Sequence, residues 1–318
     1  MREPLSARPG IVFMGTPDFA VPTLQSLLTA GHDVRSAVTQ PDRPKGRGRQ
    51  TVPSPVKVLA VDRGVEVLQP ESVNAASFRS VLQEREPDLF IVVAFGQILK
   101  KDLLAVPRWG VLNIHASLLP RYRGAAPIQQ AILNDEARTG LTLMRMEEGL
   151  DTGPVLFQEP VKIASEETAG SLHDRLAHLA GERIVQWLDT MAQGPVRERP
   201  QVAAEATYAP KIDRVTMRLD WSESARRVSA RIRALDPHPG ARTTWQGQAL
   251  KLFSAGVADE TERKHEPGRV LVEPDRLLVD TGRGRVMVRE IQAPGKRRMP
   301  VAEFLRGHPM ASGSLLGS

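Results

Sequence analysis

The chain has no cysteine, which excludes a disulfide framework and any Cys-ligated metal site. No stretch approaches the ~18 consecutive apolar residues of a membrane-crossing helix. The first ten residues, MREPLSARPG, have no apolar segment of the kind a secretion leader carries, and they are too short and too little amphipathic for an organelle presequence. A cytoplasmic, reducing setting is therefore expected. The nucleotide signatures are missing as well. The first apolar run ends in GTPDFA (15–20), which has neither the glycine spacing of a dinucleotide fold nor the lysine of a phosphate loop. No serine or cysteine stands in a nucleophile-elbow or Cys/His arrangement, so an acyl-enzyme is not expected. There is no internal repeat and no low-complexity tract.

What is present is a chain of 318 residues, 41% hydrophobic and 25% charged. That is long enough for two domains and apolar enough to bury a core. The formal net charge is +6. From Tyr208 to Ser318 there are 20 Lys and Arg against 13 Asp and Glu, which leaves 23 against 24 for the residues before. All the excess positive charge thus lies in the C-terminal third, an asymmetry that points to nucleic acid or a membrane surface.

The N-terminal two-thirds alternates strands and helices. Apolar runs at 10–15, 34–39, 89–94, 111–115 and 142–146 read as strands, and helices are expected from Thr16-Pro17 to Ala30, then over 55–63, 75–86, 127–134 and 166–191. Such alternation implies a doubly wound, mostly parallel sheet. Residues 40–49 carry four cations, two prolines and two glycines without an apolar face and read as an exposed loop. From Gly194 the texture turns polar and irregular, like a linker. Beyond it come one amphipathic helix, 221–234, and five short alternating runs (241–245, 249–253, 268–272, 277–280, 285–291), the pattern of a small OB-like β-barrel. The expected domains are 1–193, a linker at 194–207, and 208–318.

The stretch VLNIHASLLPRYRGAAPIQ (111–129) is the chemical centre. On a strand, residues i and i+2 share a face, so Asn113 and His115 project together from a strand end, and a tight loop follows them. Open α/β sheets hold ligands at such carboxyl ends. Asp151, in the turn-rich EEGLDTGP (147–154), is the third polar group. Its Asp-Thr-Gly invites comparison with aspartic proteases, but those need a second such carboxylate in a β-rich lobe, and none is present. An amide, an imidazole and a carboxylate together suit direct acyl transfer to an amine. Asn113 and protonated His115 would donate to the tetrahedral oxyanion, while Asp151 would orient His115 or assist proton removal.

With these residues in view, the chain closely resembles the methionyl-tRNA formyltransferase family of folate-dependent formyltransferases. The resemblance rests on MGTPDFAVPTL (14–24), QPDRPKGRGR (40–49), NIHASLLPRYRGAAPIQ (113–129), EEGLDTG (147–153), TYAPKI (207–212) and RIRALDPHPGA (231–241). Departures from the family pattern fall at Gln97, Lys100, Tyr122, Pro154 and His238. The resemblance implies a Rossmann-like catalytic domain followed by a tRNA-binding OB-like one. It implies transfer of formyl from 10-formyltetrahydrofolate to the α-amino group of initiator methionyl-tRNA, with no metal. Asn113, His115 and Asp151 then match the catalytic triad, Ser117, Leu118, Leu119 and Pro120 the folate-contacting loop, and Arg43, Lys45, Arg47 and Arg49 an arm on the acceptor stem. A monomer is expected. Two alternatives stand beside this reading: a formyltransferase for a small amine such as glycinamide ribonucleotide, and a non-catalytic RNA-binding protein. The basic loop and basic C-terminal third argue against the first, and the intact Asn113/His115/Asp151 set against the second.

Overall fold

Buried parallel strands need apolar residues on both faces, and the runs IVFMG and LFIVV supply them at the centre of a seven-stranded sheet. The computed structural model describes residues 5–6, 8–45, 50–261 and 266–317. It forms two compact units interleaved in sequence: Met1–Gly124, Gly140–Pro160 and His173–Tyr208 in the first, and Ala125–Thr139, Val161–Leu172 and Ala209–Ser318 in the second. Among the described residues no helix is long and apolar enough to cross a membrane.

The sheet of the first unit contains β1 (Ile11–Gly15), β2 (Val34–Val38), β3 (Val67–Leu68), β4 (Leu89–Val93), β5 (Val111–His115), β6 (Arg138–Arg145) and β7 (Val155–Lys162). Their order is β7-β6-β5-β4-β1-β2-β3. Strands β5, β4, β1, β2 and β3 are parallel, and β6 runs antiparallel to β5. Helices α1 (Val21–Thr29), α2 (Pro55–Asp62) and α3 (Ala76–Gln83) connect the parallel strands. Phe13, Met14, Leu24, Leu27, Phe90 and Ile91 are fully buried among them. Helix α4 (Pro127–Leu133) follows β5, and α5 (Ala169–Gln193) follows β7. The stripe Leu172, Leu176, Ile184 and Leu188 of α5 is buried, as its spacing predicts.

Three local outcomes in this unit differ from the sequence reading, each for a physical reason. First, α1 begins at Val21, after a 3₁₀ turn at Asp18–Ala20. Pro22 has no N–H to offer an earlier turn, so it is restricted to the first positions of a helix. Second, Arg43–Lys45 pairs antiparallel with Gln50–Val52, because backbone groups pair whatever the side chains are. The base of this hairpin is fixed. The hydroxyls of Thr39 and Ser54 lie 2.6 Å apart, Ser54 Oγ caps α2 by accepting the Lys57 amide, and Lys57 Nζ and Gln69 Nε2 both donate to the Asp42 carboxylate. The Lys57 hydrogen bond, followed by that from Gln69, holds the Asp42 pKa below its ordinary value. Third, β7 reads poorly as a strand because only its start is buried and it contains Pro160. As the outermost strand of its sheet it tolerates both.

In the second unit, β8 (Ala241–Trp245), β9 (Gln248–Asp259), β10 (Val270–Val272), β11 (Leu277–Asp280) and β12 (Arg285–Gln292) form an antiparallel sheet in the order β8-β9-β12-β11-β10. A short β13 (Met299–Pro300) pairs with β12. Ser314–Gly317 hydrogen-bonds to both outer strands: the Val270 amide donates to the Ser314 carbonyl, and the Gly317 amide donates to the Thr244 carbonyl. Helix α6 (Ala225–Ala234) packs Val228 and Ile232 into a core with Leu252, Val279, Val288 and Phe304, the last from α7 (Val301–Gly307). α6 starts four residues later than its amphipathic pattern suggests. Asp220 accepts both the amide and the hydroxyl of Ser222, and Ser224 provides the N-cap. These side-chain bonds compete with a helical turn at 221–224. β9 is longer than the expected 249–253. Ser254, at φ 51°, bends it without ending it.

Candidate active site

Asn113 and His115 end β5, the parallel strand that borders antiparallel β6, with their side chains on one face of it. Both are buried, at 9% and 7% exposure. The antiparallel register of β6 sets Met144 opposite Asn113 and Thr142 opposite His115. His115 Nε2 is 2.8 Å from the Tyr122 carbonyl. A carbonyl only accepts, so Nε2 carries the proton and Nδ1 is the nitrogen facing Asp151, whose Oδ2 lies 3.7 Å away. The Asn113 side-chain amide, by contrast, has no hydrogen-bond partner among the described residues. Buried amides in folded proteins are nearly always paired. The Asn113 amide keeps some contact with solvent, so beside a histidine and a carboxylate it is open to a group that is not part of the chain.

Asp151 is held by its backbone. It takes φ 52°, and Gly149 takes φ 130°. Aspartate tolerates the left-handed region better than most residues, and such positions cluster at functional sites. On the other side, a Cβ at Gly153 would lie 1.9 Å from the Arg145 carbonyl, so only glycine allows the loop to lie against β6. The Gly124 amide donates to Asp151 Oδ2 at 2.8 Å. The other carboxylate oxygen has no partner among the described residues.

The loop after β5 is rigidly built. Ser117 Oγ donates to the Arg121 carbonyl at 2.6 Å, and Thr142 Oγ1 donates to the Ser117 carbonyl while accepting the Leu119 amide. Gln158 Nε2 donates to the Leu119 carbonyl at 2.8 Å. Leu119 packs with Met144 and Val155, and the Leu119–Pro120 peptide is cis. Of the four loop residues singled out in the sequence, Ser117 and Leu119 are buried, and Leu118 and Pro120 are half-buried. The structure therefore brings Asn113, His115, Asp151 and Ser117–Pro120 together at the carboxyl end of β5. Arg43 is exposed on the hairpin beyond β2, and Lys45 lies in the same short strand. Arg47 and Arg49 lie outside the described residues.

Sequence reasoning missed Thr142, Gln158, Arg123 and Gln201. Thr142 was findable, since it sits on a strand facing His115. The others act through polar atoms set by tertiary structure, and no spacing announces them. The segment read as a linker is bonded to the first unit. Arg199 exchanges backbone hydrogen bonds with Val155, Arg145 reaches Glu198 at 2.7 Å, and the Arg123 amide donates to the Thr207 carbonyl.

Comparison with known proteins places this geometry in a family. A sequence model described as formyl transferase matches residues 10–188, and one described as formyl transferase, C-terminal domain, matches 211–309. The chain is 46% identical over 308 residues to methionyl-tRNA formyltransferase of Pelotomaculum thermopropionicum, covering 96% of this chain and 98% of that one. It is 47% identical to methionyl-tRNA formyltransferase of Methylococcus capsulatus, covering 97% and 99%. Among solved structures, HypX from Aquifex aeolicus in complex with tetrahydrofolic acid superposes with a TM-score of 0.65 at 20% identity, over 94% of this chain and 47% of that one. That last likeness shows the fold alone. The matched models span the strand end that holds Asn113 and His115, the Asp151 turn and the antiparallel second unit, and by them the chain belongs to the formyl transferase family.

Proposed function

We propose that this chain transfers the formyl group of 10-formyltetrahydrofolate to the α-amino group of initiator methionyl-tRNA, by direct attack and without a covalent enzyme intermediate. The observation that carries the reading is the unpartnered Asn113 amide, open to the site beside His115 and Asp151 in a chain related over 96–97% of its length to enzymes of that name. The methionyl amine attacks the formyl carbon, and the carbonyl π electrons move onto oxygen. The Asn113 N–H, with His115 Nδ1–H when the ring is protonated, donates to that oxyanion. Such donors contribute ~3–4 kcal/mol each in other acyl-transfer sites. Asp151, with one oxygen held by the Gly124 amide and the other open, faces His115 Nδ1 and accepts the proton the amine loses. Collapse of the intermediate breaks the bond from carbon to the folate nitrogen, which takes up a proton, and releases formylmethionyl-tRNA and tetrahydrofolate. The folate lies along the Ser117–Pro120 loop, and the cations near Arg43 meet the tRNA backbone in a cytoplasmic monomer.

The test is a formylation assay with 10-formyltetrahydrofolate and three acceptors: charged initiator tRNA, free methionine and glycinamide ribonucleotide. The reading expects kcat/KM for the charged tRNA to exceed that for either small amine by several orders of magnitude. Comparable turnover of glycinamide ribonucleotide would transfer the assignment to a small-amine formyltransferase. No turnover with any acceptor, alongside retained RNA binding, would leave a binding protein.

A further inference from the structure

We infer that Gln201 is a positioning residue for Asp151, an inference that rests on the reading of Asp151 given above. Gln201 lies in a segment whose next four residues are exposed, yet it is itself partly buried. Its Nε2 donates to two carbonyls of the catalytic turn, that of Asp151 at 2.8 Å and that of Gly153 at 2.7 Å. Its Oε1 accepts from Arg123 Nε at 3.1 Å and Nη2 at 2.7 Å. Arg123 is buried at 6% exposure, and the next residue, Gly124, donates its amide to the Asp151 carboxylate. The loop after β5 and the turn at 149–153 are therefore joined twice, once through Gly124 and once through the Gln201 amide.

The chemistry of the side chain is specific. The position needs two donors and one acceptor in a plane, which only a carboxamide supplies. The reverse orientation would aim the oxygen at two carbonyls and the amino group at a guanidinium. Asparagine is one methylene too short to reach all three partners. Asp151 is held at φ 52°, a conformation that persists only where its surroundings enforce it. Gln201 binds the carbonyls of Asp151 and of the residue two beyond it, and so fixes the peptide planes that aim the carboxylate past His115 Nδ1.

The experiment compares Gln201→Ala, Gln201→Glu, Asp151→Asn and the double variant Gln201→Ala/Asp151→Asn in the full chain. Glutamate still accepts from Arg123 and cannot donate to the two carbonyls, so it separates a positioning role from a merely cohesive one. Expected are kcat lowered ~10–100-fold in both single Gln201 variants, as misplacement of a reacting group by about 1 Å produces. KM for both substrates should stay within about twofold, and the double variant should be no slower than Asp151→Asn alone. A Gln201→Glu enzyme with parental kcat overturns the inference, and so does a full additional loss in the double variant. Near-parental kcat in Asp151→Asn instead removes the underlying reading of Asp151, whatever Gln201 does.

Discussion

Asp151 can serve as a proton acceptor only while its charge remains, and replacing it by asparagine changes little but that charge. Its Oδ2 accepts the Gly124 amide, a bond that an asparagine oxygen can also make. Asp151→Asn should therefore leave thermal stability close to parental and lower kcat by ~10²-fold or more. Steady-state kinetics beside a melting curve checks this, and near-native kcat would remove Asp151 from the mechanism. At this scale legibility depended on distance along the chain. Asn113 and His115 are two residues apart on a strand, so the period of β structure alone sets them side by side. Asp151 is 36 positions beyond His115 and was reached through its Asp-Thr-Gly turn and the family resemblance. Gln201 could not be read at all: its partners lie about 50 and 78 residues away, and its neighbours are the polar residues of an apparent linker.

Among the elements, the hairpin at 43–52 shows what charge-rich sequence hides. Four cations without an apolar face predict exposure correctly for Arg43, and they conceal the strand pairing because pairing uses backbone atoms. Replacing Arg43, Lys45, Arg47 and Arg49 by serine should barely change the melting temperature. If they contact acceptor-stem phosphates, the KM for tRNA rises while folate binding holds; an unchanged tRNA KM would make the segment a solvated arm. The base of the hairpin has its own pH dependence. The Lys57 and Gln69 bonds lower the folded-state pKa of Asp42, so its contribution is present above the ordinary aspartate pKa and is lost as pH falls through the folded value. Amide exchange at 50–57, corrected for intrinsic rates, should rise on acidification from pH 6 to pH 3, and Asp42→Asn should show the faster exchange already at pH 6. The same tension between local pattern and context explains α1 and α6. Their apolar spacing was legible, whereas their starts were set by Pro22 and by the Asp220 and Ser224 side chains.

For the molecule as a whole, the charge division reads directly from the sequence and its layout does not. In the second unit Arg242 sits directly opposite Lys251 in the β8–β9 register, and neither has a carboxylate partner among the described residues. Like charges facing across a strand pair destabilise a sheet, so removing them should not lower stability. Arg242→Gln/Lys251→Gln should melt no lower than the parent and bind tRNA more weakly. If both side chains meet phosphates, the log–log slope of affinity against salt should flatten by ~1.5, at ~0.7–0.9 per contact. An unaltered slope would place the RNA elsewhere. The alternating pattern revealed the antiparallel strands, but it could not reveal that Ser314–Gly317 lies along both β8 and β10, because two residues of contact on either side leave no periodicity to read. That arrangement bears on solubility. An unpaired strand edge is a template for another chain, and here one short segment covers two of them. Deleting 313–317 would uncover the β10 edge and only the Thr244 end of β8, because Arg242 stays bonded to Met217 and Leu219, and the one edge laid bare is enough for molecules to pair. Light scattering that rises with protein concentration in the truncated chain, and stays flat in the parent, would register it.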